Sequence, residues 1–195
     1  MKTTIYLVRH GDVHNPQRIL YERLPGFRLS DLGREQAHTL GKFLSSKAIR
    51  ALYASPLERT AETAGIIASY HHALDITLDE RIIEILTPAR GRSMEDLARE
   101  GWNFYKKEHI AQGGERLSDV WRRMQHFLKE TVKKHEGQEI IVVSHGDPIM
   151  VSQLKHQSKK LSMRAIRGED YVQTARGFAL VFEEYRPLEV SALDF

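Results

Sequence analysis

Five side chains in this sequence are of types that together can move a phosphoryl group: Arg9, His10, Arg59, Glu84 and His145. Two guanidiniums present forked donors that match phosphate oxygens. Two imidazoles can serve as nucleophile and as charge stabiliser, and a carboxylic acid can protonate a departing oxygen. The chain contains no Walker loop, no acidic cluster suited to magnesium and no serine elbow. The inventory suits phosphoryl transfer without a metal or other cofactor, through a covalent phosphohistidine.

Each of these residues needs an element to hold it. Residues 5–8 (I-Y-L-V) are an apolar run of strand formers, the pattern of a strand covered on both faces, and the run stops in Arg9-His10-Gly11. Residues 140–143 (I-I-V-V) repeat the arrangement and end in Ser144-His145-Gly146-Asp147. Ligands of open α/β sheets sit beyond the carboxyl ends of the strands, so two strands of one sheet should deliver an imidazole followed by Gly-Asp to a common edge. Ser55 and Glu58 have capping-box spacing and Pro56 takes the first helical position, which predicts a helix start with Arg59 in its first turn. A cation there opposes the helix macrodipole. It becomes sensible with an anion between it and the helix terminus; the alternative is an arginine that points to solvent. Glu84 stands among Ile82, Ile83, Ile85 and Leu86. Either it is the solvent-facing position of an alternating segment, or it is a carboxylic acid kept partly neutral by apolar surroundings.

The remaining pattern supplies the frame. Residues 13–27 carry Pro16, Pro25 and Gly26 without helical period, a long loop over the first strand end. His14 follows His10 by four residues, a metal spacing only on a helix; no third ligand is near, and no metal site is expected. Ser30 caps a helix to about residue 44, with Gly33, Ala37, Leu40 and Leu44 inward. Short strands are expected at 51–54 and 75–78. The basic stretch 87–92 (T-P-A-R-G-R) is a candidate lid, and a helix from Ser93, boxed by Asp96, should bury Met94, Leu97, Gly101 and Trp102. Past Gly113-Gly114, a stripe through Leu117, Val120, Met124, Phe127 and Val132 marks a core-facing helix that leaves through Gly137. Asp147-Pro148 reads as N-cap and first helical residue, a structural role for Asp147. Residues 155–167 hold five cations and read as solvated surface. Residues 177–185 form a further strand, and the tail to 195 fits neither pattern.

At 195 residues one domain, 1–195, is expected, with about 79–115 as a lid and substrate-specificity segment. Lys and Arg number 29 against 26 Asp and Glu, too even for a nucleic-acid partner. Without cysteine there are no disulfides, thiol nucleophiles or Cys-based zinc sites. Residues 1–4 run straight into the first strand and no apolar run nears eighteen residues, so a cytoplasmic protein without membrane contact is expected. The oligomeric state stays open.

The Arg-His-Gly ending, Leu29-Ser30-Asp31-Leu32-Gly33-Arg34-Glu35-Gln36-Ala37, Ser55-Pro56-Leu57-Glu58-Arg59-Thr60 with Thr63-Ala64, Gly114-Glu115 with Asp119-Val120, and Val143-Ser144-His145-Gly146 together resemble the histidine phosphatase superfamily, the phosphoglycerate mutase-like proteins. They occur in the family's order over residues 4 to about 151. The resemblance implies a three-layer α/β/α fold around a mixed, mostly parallel sheet. It implies His10 as the phosphorylated nucleophile, Arg9, Arg59 and His145 around the phosphoryl oxygens, Glu84 as proton donor, and Asn15 and Gly146 as further substrate contacts. Asp12 stands where the family more often has Glu or Gln. Asn15 sits one residue nearer the nucleophile than in mutase-like members, and the Gly-x-Trp-Glu-Gly stretch often found after the acid is replaced by Leu86-Thr87-Pro88-Ala89-Arg90-Gly91. The acid-phosphatase branch places Asp directly after its second His; Gly146 stands there, which leaves the acid to Glu84. The implied activity is hydrolysis of small phosphorylated metabolites, with a mutase or a phosphoprotein phosphatase as alternatives.

Overall fold

The apolar runs at 5–8 and 140–143 lie side by side in the computed structural model, which describes residues 1–71, 74–168 and 170–195. In chain order the elements are β1 (Lys2–Arg9), α1 (Asp31–Leu44), β2 (Ile49–Ala54), α2 (Glu58–Ala68), β3 (Ile76–Leu78), a 3-10 turn (Glu80–Ile82), α3 (Met94–Arg99), α4 (Lys107–Ala111), α5 (Leu117–Lys134), β4 (Glu139–Ser144), α6 (Gly146–His156), α7 (Met163–Ile166), β5 (Gly177–Glu183) and β6 (Arg186–Ala192). The described residues form a six-stranded sheet in the order β3-β2-β4-β1-β5-β6. The first four strands run parallel and β5 and β6 antiparallel, so the sheet is mixed.

Alternation along the strands divides the core into two layers. Ile5, Leu7, Ile140 and Val142 pack with Val120, Met124 and Phe127 of α5 and with Ile149 and Leu154 of α6. Tyr6, Val8, Ile141 and Val143 pack with Leu40 and Leu44 of α1 and with Ala64 and Ile67 of α2. Each buried aliphatic side chain contributes about 1.5–3 kcal/mol relative to exposure, which pins the register. Arg9 therefore pairs with Ser144, and the residues that follow, His10 and His145, leave adjacent strands at one edge. On the other side of β4, Ala54 pairs with Val143, so Ser55 joins the same row.

Several local expectations are corrected. The Ser55/Glu58 capping box does not form: α2 begins at Glu58, after Leu57, which makes no side-chain cap. The Glu58 carboxylate instead takes the Gly26 N–H and Arg28. Ser93 caps α3 through the Glu95 N–H rather than boxing with Asp96. Leu97 is the buried residue of α3, while Gly101 lies beyond its end at φ +67° and is exposed. Asp147 is not an N-cap; that position belongs to His145, and Asp147 lies inside the first turn of α6. The tail forms β6, paired to β5. Among the described residues no helix is long and apolar enough to cross a membrane.

Candidate active site

Parallel pairing of three neighbouring strands sets Ser55, His145 and His10 in a row, because each follows the last residue of its strand. All three are buried, as is Arg59 on the second residue of α2. The His10 and His145 rings lie edge to face, 5.3 Å between centroids. His10 Nδ1 stands 2.7 Å from the Gly11 carbonyl, which can only accept, so Nδ1 carries the hydrogen. That leaves the lone pair on Nε2, which accepts from Arg59 Nε at 3.2 Å. Arg59 Nη2 donates to the Glu22 carbonyl at 2.7 Å and lies 3.2 Å from His145 Nδ1. Arginine cannot accept, so His145 bears its hydrogen on Nε2 and donates it to Ser55 Oγ at 2.8 Å. The hydroxyl expected to cap α2 thus orients the second imidazole instead.

Burial, and after it Arg59, hold both imidazoles well below the ordinary histidine value of 6.5; Arg9 acts further on His10 in the same direction. Both rings are neutral, the state in which Nε2 of His10 is nucleophilic. Arg9 donates through Nη1 to the Val172 carbonyl at 2.9 Å. Its Nε is buried and finds no hydrogen-bond partner among the described residues. Glu84 follows the 3-10 turn, with Oε1 accepting from the Ile85 N–H at 2.9 Å and Oε2 lying 3.9 Å from His145 Nδ1. Its side chain is 18 % exposed. Burial raises its pKa, and Asp147 adds to the rise.

The five residues read as phosphoryl chemistry are therefore gathered at one strand edge, and Arg59 faces inward rather than to solvent. Gly146 lies beside them at the start of α6, where a Cβ would come within 2.0 Å of the Tyr171 hydroxyl. The Asn15 amide bonds Ile19, Nδ2 donating to its carbonyl at 2.9 Å and Oδ1 accepting from its N–H at 3.3 Å, and Nδ2 also reaches Met94 Sδ at 3.5 Å. His14 is exposed, and among the described residues no group of three His, Asp or Glu side chains gathers in a way that could hold a metal.

Two loops roof the site. The segment after β1 is stitched to the basic 87–92 segment by reciprocal bonds, Leu20 N–H to Arg92 O and Gly91 N–H to Leu20 O, both 2.8 Å. Glu22, at φ +40°, joins the same structure: its carboxylate takes the Thr87 N–H at 3.1 Å and the Arg23 N–H at 2.7 Å. A positive φ at a buried non-glycine residue stores strain of order 1 kcal/mol. Its carbonyl is thereby turned to Arg59. Tyr21 lies over the Arg59 guanidinium, 4.8 Å from ring centroid to Cζ.

Beside Arg9 and Glu84 opens a cavity of about 400 Å³, walled by Leu20, Met94, Trp102, Phe104 and Tyr171. Asp147 and Arg167 form its floor. Arg167 grips the Asp147 carboxylate with both Nη atoms, and Tyr105 and Tyr171 donate their hydroxyls to the same carboxylate at 2.7 and 2.8 Å. The reading of 155–167 as plain solvated surface thus fails at Arg167, and Asp147 belongs to the cavity as well as to α6. A second cavity, about 730 Å³ near the chain end, contains none of the five residues. Sequence reasoning missed Tyr21, Glu22, Tyr171 and Arg167, which lie in loops without periodicity. The repeated His-Gly-Asp was the available signal for Asp147.

A three-layer fold with two neutral imidazoles and two guanidiniums at one strand edge defines a phosphoryl-handling class. The chain belongs to the histidine phosphatase superfamily (branch 1), whose family model matches residues 5–176. It is 34% identical over 154 residues to phosphoserine phosphatase 1 of Hydrogenobacter thermophilus, covering 74% of this chain and 72% of that protein. It is also 34% identical over 155 residues to a 2,3-bisphosphoglycerate-dependent phosphoglycerate mutase of Thermoplasma acidophilum, covering 76% and 73%. Among solved structures, Bacillus stearothermophilus YhfR superposes with a TM-score of 0.80 at 26% identity, over 95% of this chain and 94% of that one.

Proposed function

We propose that this protein hydrolyses phosphomonoesters of small metabolites through a phosphohistidine on Nε2 of His10. The observation that carries the reading is the His10 ring itself: Nδ1–H is committed to the Gly11 carbonyl, and Nε2 is left with its lone pair beside Arg59. On substrate binding the phosphoryl oxygens take the Arg59 donors and the unpartnered Nε of Arg9, with His145 as the third contact. Nε2 then forms the bond to phosphorus while the ester P–O bond breaks, and Glu84 passes its proton to the departing oxygen. Water attacks phosphorus in the second step, gives a proton to the Glu84 carboxylate, and releases phosphate from His10. Charge is met by guanidiniums throughout, so no metal ion enters either step.

Rapid quench with substrate labelled in the phosphoryl group should trap an acid-labile, base-stable adduct that His10→Ala lacks. Turnover should also survive exhaustive chelation. An adduct that persists in His10→Ala would overturn the assignment. The likeness to a mutase supports a second reading, transfer to a phosphoglycerate. Assay of 3-phosphoglycerate with and without a bisphosphate primer separates it from hydrolysis.

A further inference from the structure

We propose that the cavity beside Arg9 selects phosphomonoesters of uncharged, ring-bearing alcohols and discriminates against those whose alcohol carries a carboxylate. The inference rests on the phosphatase reading and concerns the leaving group, which the phosphoryl cradle does not touch. Two cations line the cavity, Arg9 and Arg167. Arg9 has its free Nε for the phosphoryl group. Arg167 is spoken for on every side: both Nη atoms hold Asp147, Nε donates to the Trp102 carbonyl at 3.3 Å, and its planar faces meet Tyr171 and Phe104 at 4.9 and 5.3 Å. A substrate carboxylate entering here would face the Asp147 charge, with Arg167 already held by Asp147 and Arg9 occupied by the phosphoryl group of the same substrate, which costs it its hydration without return.

The cavity does not favour an amine either. Asp147 already accepts from Arg167, Tyr105 and Tyr171, and Glu22 gives its two oxygens to backbone N–H groups. Glu84 also lines the cavity, where the proposed mechanism commits it to the departing oxygen, and the rest of the lining is mostly apolar and aromatic wall. Trp102, Phe104, Met94 and Leu20 present surfaces against which a flat ring is stabilised by stacking and burial. A space of about 400 Å³ is large enough for a ring-sized group.

The test uses alkyl phosphates throughout, so that leaving-group acidity does not decide the ranking. Wild-type kcat/KM should be higher, by about tenfold or more, for benzyl and 2-phenylethyl phosphate than for phosphoserine and 3-phosphoglycerate. Asp147→Asn keeps the side-chain size but frees the Arg167 charge. The ratio of phosphoserine to 2-phenylethyl phosphate kcat/KM, taken at one pH, should rise by about tenfold. Trp102→Ala should lower kcat/KM for the ring-bearing substrates and leave phosphoserine little changed, an independent arm should Asp147→Asn not fold. Wild-type preference for the carboxylate substrates, or an Asp147→Asn ratio that does not move, would overturn the selectivity while leaving the hydrolase reading intact. Failure to turn over any of the four esters, with no adduct on His10, would instead overturn the hydrolase reading and the selectivity with it.

Discussion

The proton assigned to Glu84 makes two measurable demands. Expulsion of an alkoxide is slow unless the oxygen is protonated as the bond breaks, whereas a phenolate leaves with little help. A positioned acid contributes about 10²–10⁴-fold. Glu84→Gln should lose that factor in the burst phase with alkyl phosphates and keep most of the rate with aryl phosphates. Equal losses on both would demote Glu84, leaving Asp12, whose Oδ2 accepts from Ser30 Oγ at 2.6 Å, as the next carboxylate to test. The pH profile follows from the same residues. In the proposed mechanism His10 attacks as the neutral ring, and burial with Arg59 holds its pKa well below 6.5, so the acid limb of kcat/KM should lie below the ordinary histidine range. The proposed role of Glu84 requires its protonated form, and burial with Asp147 raises its pKa above 4.5, so activity should fall as pH rises through that raised value. Asp147→Asn removes the second of these two causes and should move the alkaline limb to lower pH. A limb that stays in place would show that Glu84 does not set it.

The exit of β1 is held by a close approach of two backbones. A Cβ on Gly11 would stand 2.3 Å from the Gly33 carbonyl, and one on Gly33 would stand 2.0 Å from the Asp12 carbonyl. Backbone cannot swing aside as a side chain can, so only glycine fits at either position. The Gly11 N–H also donates to Thr63 Oγ1 at 3.2 Å, and that hydroxyl donates to the Arg59 carbonyl at 2.7 Å. The first turn of α1 and Thr63, in the second turn of α2, thus clamp the residue that follows His10. Gly33→Ala should lower stability by about 1–3 kcal/mol, seen as a reduced Tm, and should lower kcat by displacing His10. Unchanged kcat at a reduced Tm would mean that the clamp serves folding alone.

Across the molecule, the site is a load on stability. The unfolded chain protonates its histidines near 6.5, but burial and Arg59 keep His10 and His145 neutral in the fold to well below that value. The unfolded state therefore binds more protons below about pH 6.5, and folding stability should drop as pH falls through that window. Glu84 acts in the opposite sense, since its raised pKa costs stability as pH rises above 4.5. Scanning calorimetry should show Tm declining from about pH 7.5 to 5.5, with a shallower decline in His145→Asn. An identical slope in that variant would place the linkage on other histidines. How much of this was legible in the chain depends on range. Local pattern carried the strand runs of β1 and β4, the stripes of α1 and α5, and the chemical types Arg9, His10, Arg59, Glu84 and His145. Those signals depend on side-chain periodicity and on polar residues placed where apolar runs stop, and both lie within a few residues along the chain. The order β2-β4-β1, which puts Ser55 beside His145 and His145 beside His10, came from packing two core layers on one sheet. The role of Ser55, the strained carbonyl of Glu22 and the pairing of Asp147 with Arg167 join residues from separate segments. Such partners are chosen by burial, because a polar group removed from water takes whichever matching group the fold brings within reach.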